Sequence, residues 1–371
     1  MNFEFSKEQE LLREQARAFL IQQCPTAAVR KILEGNEPFD KDLWRKIADL
    51  GWLATVIPEE YGGLGLSYYE LAVIAEELGR ALAPIPFSSS VYLATELLLR
   101  NGTPEQRREW LPKIATGEVI GTLAVAEDIG RPTPQTIHTV ARNGSISGRK
   151  IAVPDGDVVD FVIVLVRCEH GNGTSLYLVE SNDFSHEVVA TIDPSRSHAN
   201  LEFKDSCGEL IGADGFGWEM VNDVFDRAAV LFAWEQVGGT QSTLDQATDY
   251  AKSRYAFGRP IGSFQAIKYK LANMYVKHTL ARSNCYYGTW TLAGDHADLR
   301  LAAATCRVSA IQAFHYASKE NIQTHGGMGF TWEFDCQLYY RRAKLLALNL
   351  GSEHWWQDRL ITAHEQRNQA A

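Results

Sequence analysis

The chain has 371 residues, with 36 Lys and Arg against 46 Asp and Glu, giving a formal net charge of −10. At about 150 residues per domain the length predicts two or three domains. Hydrophobic residues make up 45% and charged residues 22%, a balance that excludes intrinsic disorder for most of the chain. The acidic excess argues against nucleic acid or an anionic membrane as the main partner, since both attract basic surfaces. It leaves room for an anionic ligand held by a few local Arg or Lys side chains. No segment approaches the ~20 apolar residues of a membrane span, and MNFEFSKEQELLREQ at the N-terminus lacks a basic-then-apolar signal pattern. The six cysteines, at 24, 168, 207, 285, 306 and 336, show no CxxC spacing. That predicts reduced, mostly buried thiols in a cytoplasmic protein.

In chain order, residues 1–117 read as helical. Ser6 and Gln9 have the spacing of a capping box, and Leu12, Ala16, Phe19 and Leu20 then share one helical face. Further helices are predicted over 41–50, 68–82 and 104–111. PEEYGGLGLS at 58–67 must be a loop, because three glycines in four positions cannot hold a helix. Residues 118–213 change character: short β-branched runs at 119–125, 145–151, 158–167, 175–179 and 187–191 predict antiparallel strands of a small barrel or sandwich. From 214 to 371 long helical segments return at 218–252, 263–293, 298–325 and 337–366, the pattern of an antiparallel four-helix bundle. GADGFG at 212–217 is glycine-rich, but no GxGxxG follows a strand, so a Rossmann site is not supported and the segment reads as a connector. The expected fold class is α+β, with N-terminal helices, a middle β-domain and a C-terminal bundle.

Four segments, in order, resemble the acyl-CoA dehydrogenase family: PEEYGGLG at 58–65, GTPEQRREWLPKIATGE at 102–118, SRYAFGRPIGSFQAIKYKLANM at 253–274 and QTHGGMGFTWEFDCQLYYRRAK at 323–344. The resemblance covers essentially the whole chain and implies the architecture just read, a tetramer built on the C-terminal bundle, and FAD as cofactor. It also implies the reaction. A carboxylate removes the α-proton of an acyl-CoA thioester while the β-hydride passes to the flavin, with electron-transfer flavoprotein or a similar acceptor downstream. In the family one subunit holds the flavin ring, and a neighbour's bundle holds the pyrophosphate and adenosine end through an RxxFG and a QxxGGxG segment. Here those motifs place Arg254, Phe257 and Gly258, then Gln323, Gly326 and Gly327. Arg brings charge and a fork of donors to phosphate, and glycine lets backbone approach closely.

The other half of the resemblance fails. Where the family reads like TEPxxGSD, this chain has AEDIGRP at 126–132, with Ala126 and Arg131 in place of hydroxyl donors. Where the family reads K-x-W-I-T-N, this chain has KIAVPD at 150–155, with Ala152 in place of the aromatic and Pro154 in place of the Thr. The usual base position holds Leu350, and an alternative position on the first bundle helix holds Ala228. Asp226, two residues before Ala228, is turned by about 200° on a helix. It is expected to pair with Arg227 or a neighbouring helix. Glu353 is the one nearby replacement base, with a helix-start carboxylate as its plainer reading. His354 with Trp355 and Trp356 reads as an aromatic packing cluster, and His325 has no metal-ligand spacing.

The segments kept are those a bundle offers to a neighbour's FAD, and those lost hold the ring and do chemistry within one subunit. This pattern is similar to the base-less subunit of bacterial α2β2 acyl-CoA dehydrogenases, such as those of steroid side-chain degradation. It implies a Glu-bearing paralogous partner that binds most of the acyl-CoA. Two other readings stay open from sequence: an active homotetramer using Glu353, and a non-enzymatic assembly scaffold.

Overall fold

A computed structural model describes residues 5–168 and 173–370. In chain order the helices are α1 (Lys7–Gln23), α2 (Thr26–Glu34), α3 (Lys41–Asp49), α4 (Tyr68–Ala81), α5 (Glu96–Asn101) and α6 (Pro104–Ala115). The strands follow: β1 (Gly121–Ala124), β2 (Val140–Arg142), β3 (Ser145–Pro154), β4 (Phe161–Cys168), β5 (Thr174–Glu180), β6 (Phe184–Val188), β7 (His198–Cys207) and β8 (Glu209–Ile211). Next come α7 (Gly217–Ser253), the short strands β9 (Tyr255–Ala256) and β10 (Arg259–Pro260), then α8 (Gln265–Ala293), α9 (Leu299–His325), α10 (Cys336–Leu346) and α11 (Glu353–Ala370). This is the expected α+β order of N-terminal helices, middle sheet and C-terminal helices. The chain divides into two compact units, one of residues 1–29, 68–83 and 229–371, the other of 30–67 and 84–228.

In the second unit the sheet runs β6-β7-β3-β2-β4-β5-β8, with β1 also on β4. Its core is Val162, Val164, Val166, Val179, Ile146, Leu201 and Phe203 with their small neighbours. FVIVLV in β4 is buried at every position from Phe161 to Val166, so it reads as a continuous apolar run rather than an alternating one. The expectation of purely antiparallel pairing needs correction. β1 and β2 lie end to end along the same edge of β4, both parallel to it, with Gly121 opposite Phe161 and Val140 opposite Arg167. Parallel neighbours need a crossover, and the long excursion between β1 and β4 supplies it. β2, β7 and β8 have no counterpart in the sequence reading. Two of them are only three residues long, and β7 (HANLEFKDSC) carries charged and polar residues that mask its alternation. Ahead of the sheet, Ser88–Thr95 forms a fully buried π-helical stretch, a rare element that propensity does not signal.

In the first unit, Ser6 and Gln9 make the predicted capping box at the start of α1. α4 crosses α7 at a pair of glycines. A Cβ on Gly79 would stand 2.0 Å from the Glu235 carbonyl, and one on Gly238 would stand 1.8 Å from the Glu76 carbonyl. Arg307 is fully buried, its Nη1 donating to Gln236 Oε1 at 2.7 Å and its Nη2 to the Leu346 carbonyl near the end of α10. Burial lowers its pKa to about 9, with Glu235 opposing. The last predicted helix, 337–366, is in fact two. Asn349–Gly351 breaks it, and Gly351 has φ +97°, a backbone setting that a helix cannot contain. Among the described residues no helix is long and apolar enough to cross a membrane.

Candidate cofactor-binding site

The motif residues 254–258 sit on a hairpin that leaves the end of α7. Arg254 N–H still donates to the Tyr250 carbonyl at 2.8 Å, and the Arg254 carbonyl accepts from Ile261 N–H at 2.8 Å. β9 and β10 pair Ala256 with Arg259, leaving a two-residue loop, Phe257–Gly258. Both have positive φ, +54° and +77°, the signature of a type I′ turn. Glycine takes this setting freely, but phenylalanine does not. The strained Phe257 is 96% exposed, its ring meeting Phe264 edge-on at 6.3 Å, while the Arg259 guanidinium lies over Phe264 at 4.1 Å. Arg254 is exposed and pairs with no carboxylate among the described residues.

The second motif follows α9. Gln323 is exposed on the last turn, and its carbonyl accepts the Gly326 N–H. Gly326 has φ +61° and ψ −135°, open to glycine alone. A Cβ placed on Gly258, Gly326 or Gly327 meets nothing within 4 Å. The backbone there borders open space, as a cradle for a ligand would. Exposed Phe330 and Trp332 continue the surface, with Arg341 5.5 Å from the Trp332 ring. His325 stacks on Tyr250 at 4.1 Å, so the structure brings the two motifs together from opposite ends of the sequence stretch.

The sequence places the ring-side positions in the second unit, and the structure fills their surroundings from within. The Ala126 carbonyl accepts the Ile151 N–H at 2.8 Å. Ala152 sits at a bulge of β3 with φ +49°, its N–H donated to Asn200 Oδ1 at 3.1 Å. The Pro154 carbonyl accepts the Thr122 hydroxyl at 2.8 Å. Arg131 lies on an exposed loop beside Ile129, which is 95% exposed. Between these positions Lys150 is wholly buried, 2.6 Å from Glu127. Burial pushes the Lys150 ammonium down to about 8 against the pull of Glu127. Glu127, although burial works against its charge, is held below the usual carboxylate value by Lys150.

Immediately after Pro154, Asp155 turns inward. Its carboxylate accepts from Ser89 on the π-helical stretch, and Arg196 donates to Ser88. Ser88, Ser89, Asp155, Arg196 and His198 are all buried, and burial raises the Asp155 pKa with Arg196 opposing. Arg227 pairs with Glu96, also buried. Sequence reading missed this interior network. The available signal was charge in the wrong place: Glu96 within the apolar run VYLATELLL, and Asp155 directly after the end of a strand.

The two positions at which the resemblance expects a base hold buried apolar side chains. Ala228 is fully buried on α7, and Leu350 is 1% exposed in the break before α11, its carbonyl accepting Trp356 Nε1–H at 3.1 Å. Glu353 opens α11, where a carboxylate suits the helix dipole. Its Oε1 accepts from Gln312 at 2.8 Å and Gln357 at 3.0 Å. Trp355 and Trp356 pack together under Arg359, but His354 is exposed and outside that cluster. A cleft of about 520 Å³ in the first unit, lined by Arg80, Asp245, Lys252 and Tyr275 among others, contains none of these residues.

Two family models, the acyl-CoA dehydrogenase N-terminal domain over residues 6–118 and the C-terminal domain over 215–363, match the chain. The chain belongs to the acyl-CoA dehydrogenase family. Members of this family bind FAD. The acyl-CoA dehydrogenase IpdE2 of Mycobacterium tuberculosis is 34% identical over 340 residues, covering 91% of each chain. The ChsE4–ChsE5 complex of the same organism is similar in structure, with TM-score 0.88 and 26% identity over 97% of this chain and 98% of that one. The Tcur3481–Tcur3483 steroid ACAD gives TM-score 0.88 and 25% identity over 98% and 99%.

Proposed function

We propose that this chain is the base-less subunit of a heterotetrameric, FAD-dependent acyl-CoA dehydrogenase, completing the FAD site of a Glu-bearing paralogous partner. The observation that carries the reading is a contrast within the acyl-CoA dehydrogenase motifs. Arg254, Phe257, Gly258, Gln323, Gly326 and Gly327 form an exposed surface whose glycines border open space. Ala228 and Leu350 are buried and apolar where a base would stand.

The bundle-side residues fit the pyrophosphate and adenosine end of FAD. Arg254 offers charge and a fork of donors, Phe257 an aromatic face, and the glycines close backbone approach. The ring side does not fit, because Ala126, Ala152 and Pro154 supply no hydroxyl or aromatic wall and the adjoining interior is closed by Asp155, Arg196, Ser88 and Ser89. When bound, FAD accepts the electron pair removed from the acyl thioester. This chain's part is to hold one end of it, while proton abstraction belongs to the partner's carboxylate. The paired names ChsE4–ChsE5 and Tcur3481–Tcur3483 support a two-chain assembly, and the steroid neighbour supports a bulky steroid-derived acyl-CoA held mainly by the partner. Electron-transfer flavoprotein or a similar acceptor would reoxidise the flavin, and nothing in the acidic composition calls for nucleic acid or membrane.

Purified alone, the chain should carry little flavin and no dehydrogenase activity. Co-expression with a Glu-bearing paralogue should yield a complex with one FAD per pair of unlike chains. Flavin-loaded, active material from this chain alone would overturn the proposal and favour the homotetramer with Glu353 as base. An active complex that keeps its flavin after Arg254→Ala would favour a scaffold.

A further inference from the structure

The two motif segments are far apart in sequence. The helices that end in them, α7 and α9, are joined by an Asn321 Nδ2–H donated to Gln246 Oε1 at 2.9 Å and by a buried cluster of Leu244, Ala247, Met274 and Ala317, and at their very ends by one aromatic stack. Tyr250 lies on the last turn of α7, and its carbonyl accepts the Arg254 N–H. His325 is the last residue of α9, immediately before Gly326. The two rings are face to face, 4.1 Å apart and 26° from parallel. Phe334 closes the group, meeting Tyr250 edge-on at 6.4 Å and His325 at 5.7 Å.

The imidazole is itself anchored. Its Nδ1 lies 2.9 Å from the Asn321 carbonyl one turn earlier. A carbonyl only accepts, so Nδ1 carries the proton and the ring orientation is set. A histidine in this place also satisfies a carbonyl at a helix C-terminus. His325 is 7% exposed, and burial lowers its pKa, the Asn321 carbonyl opposing, so burial favours the neutral form of the ring that stacks on Tyr250. One side chain thus meets both the exit of α7 into the Arg254 hairpin and the exit of α9 into the Gly326–Gly327 turn.

We propose that His325 is a positioning residue of the FAD surface, its stack on Tyr250 holding the Arg254–Gly258 hairpin in register with Gly326–Gly327. The proposal rests on the functional reading above. It assigns His325 no contact with the cofactor and predicts an effect through the placement of two segments that would touch it.

The test uses the full chain and its complex with a Glu-bearing paralogue, comparing His325→Ala, His325→Phe and Tyr250→Leu. In the full chain alone, limited trypsin digestion reads the hairpin directly through cleavage after Arg254, since Arg259 precedes Pro260 and is not cut. His325→Ala and Tyr250→Leu should speed that cleavage without lowering Tm by more than a few degrees, and His325→Phe, which keeps the stack, should restore it. In the complex, FAD release followed by flavin fluorescence should be about tenfold faster for His325→Ala and Tyr250→Leu, the size of one lost aromatic contact, and near normal for His325→Phe. The Tyr250→Leu/His325→Ala double variant should be no worse than either single. Wild-type release rates in His325→Ala, or a His325→Phe variant as impaired as His325→Ala, would overturn the proposal while leaving the functional reading intact. A wild-type complex that holds no FAD would sink that reading, and with it the cofactor part of this one, while the digestion would still show whether the stack clamps the hairpin. If His325→Ala does not fold, Tyr250→Leu carries the test.

Discussion

At the scale of single residues, the chain departs from the motifs expected of the acyl-CoA dehydrogenase family at a few side chains. Glu353 faces two glutamines, and its plainer reading as a helix-start carboxylate agrees with those partners. Glu353→Gln should leave the kcat of the assembled complex within about twofold, since an amide keeps most of that hydrogen bonding; a loss of a hundredfold or more would make Glu353 the base. Lys150 and Glu127 are the buried pair of the second unit. Lys150→Met should strand the carboxylate and cost about 3–5 kcal/mol in urea unfolding. The pH dependence follows from the two shifts. Glu127 is held below its ordinary value of 4.5, so its contribution is complete above that pH and is lost as pH falls. Lys150 is lowered from 10.5 to about 8, so the unfolded chain binds more protons between those values and this contribution rises with pH across that window. In Lys150→Met the alkaline slope should disappear, and the acid slope should shrink or reverse as burial acts on Glu127 unopposed by Lys150, as measured by urea titrations between pH 4 and 10.

At the scale of elements, the hairpin after α7 is the informative piece. A type I′ turn favours glycine or asparagine at its first position, and this chain puts Phe257 there, almost fully exposed. Phe257→Gly should relieve about 1 kcal/mol of backbone strain and raise Tm slightly. In the complex the same change should speed FAD release, so stability and cofactor affinity should move in opposite directions. A variant that gains both would show that the phenylalanine has no role in binding. The break between α10 and α11 behaves differently. Gly351 has φ +97°, and a Cβ would stand 2.1 Å from the Trp355 ring. Gly351→Ala should therefore destabilise by more than about 1 kcal/mol in thermal unfolding, with no compensating gain.

At the scale of the whole molecule, the crossing of α4 and α7 in the first unit depends on two missing side chains. Gly238→Ala would drive a methyl group into the Glu76 carbonyl and should cost about 3 kcal/mol in urea unfolding. A neutral result would mean that the crossing can slide. Much of the fold was legible in sequence. Each helix of 217–325 follows its apolar periodicity to within two residues of the predicted ends, and the Ser6–Gln9 box caps α1 as its spacing implies. β7 and the π-helical stretch were not legible, because they depend on what packs against them rather than on local pattern.

The sequence by itself determined the family, the helical and β segments, and the identities at each motif position, including the leucine and alanine where a base would stand. These follow from local propensity, spacing and side-chain chemistry. Only the tertiary structure decided how those positions are surrounded. It turned Arg227 to Glu96 and Asp155 to Ser89, gave Phe257 a left-handed backbone, set β1 and β2 parallel to β4, and laid His325 against Tyr250 from 75 residues away. The physical reason is common to all of these. A buried charge or a strained backbone is tolerated only when the rest of the chain supplies its partner, and that partner has no fixed distance in sequence.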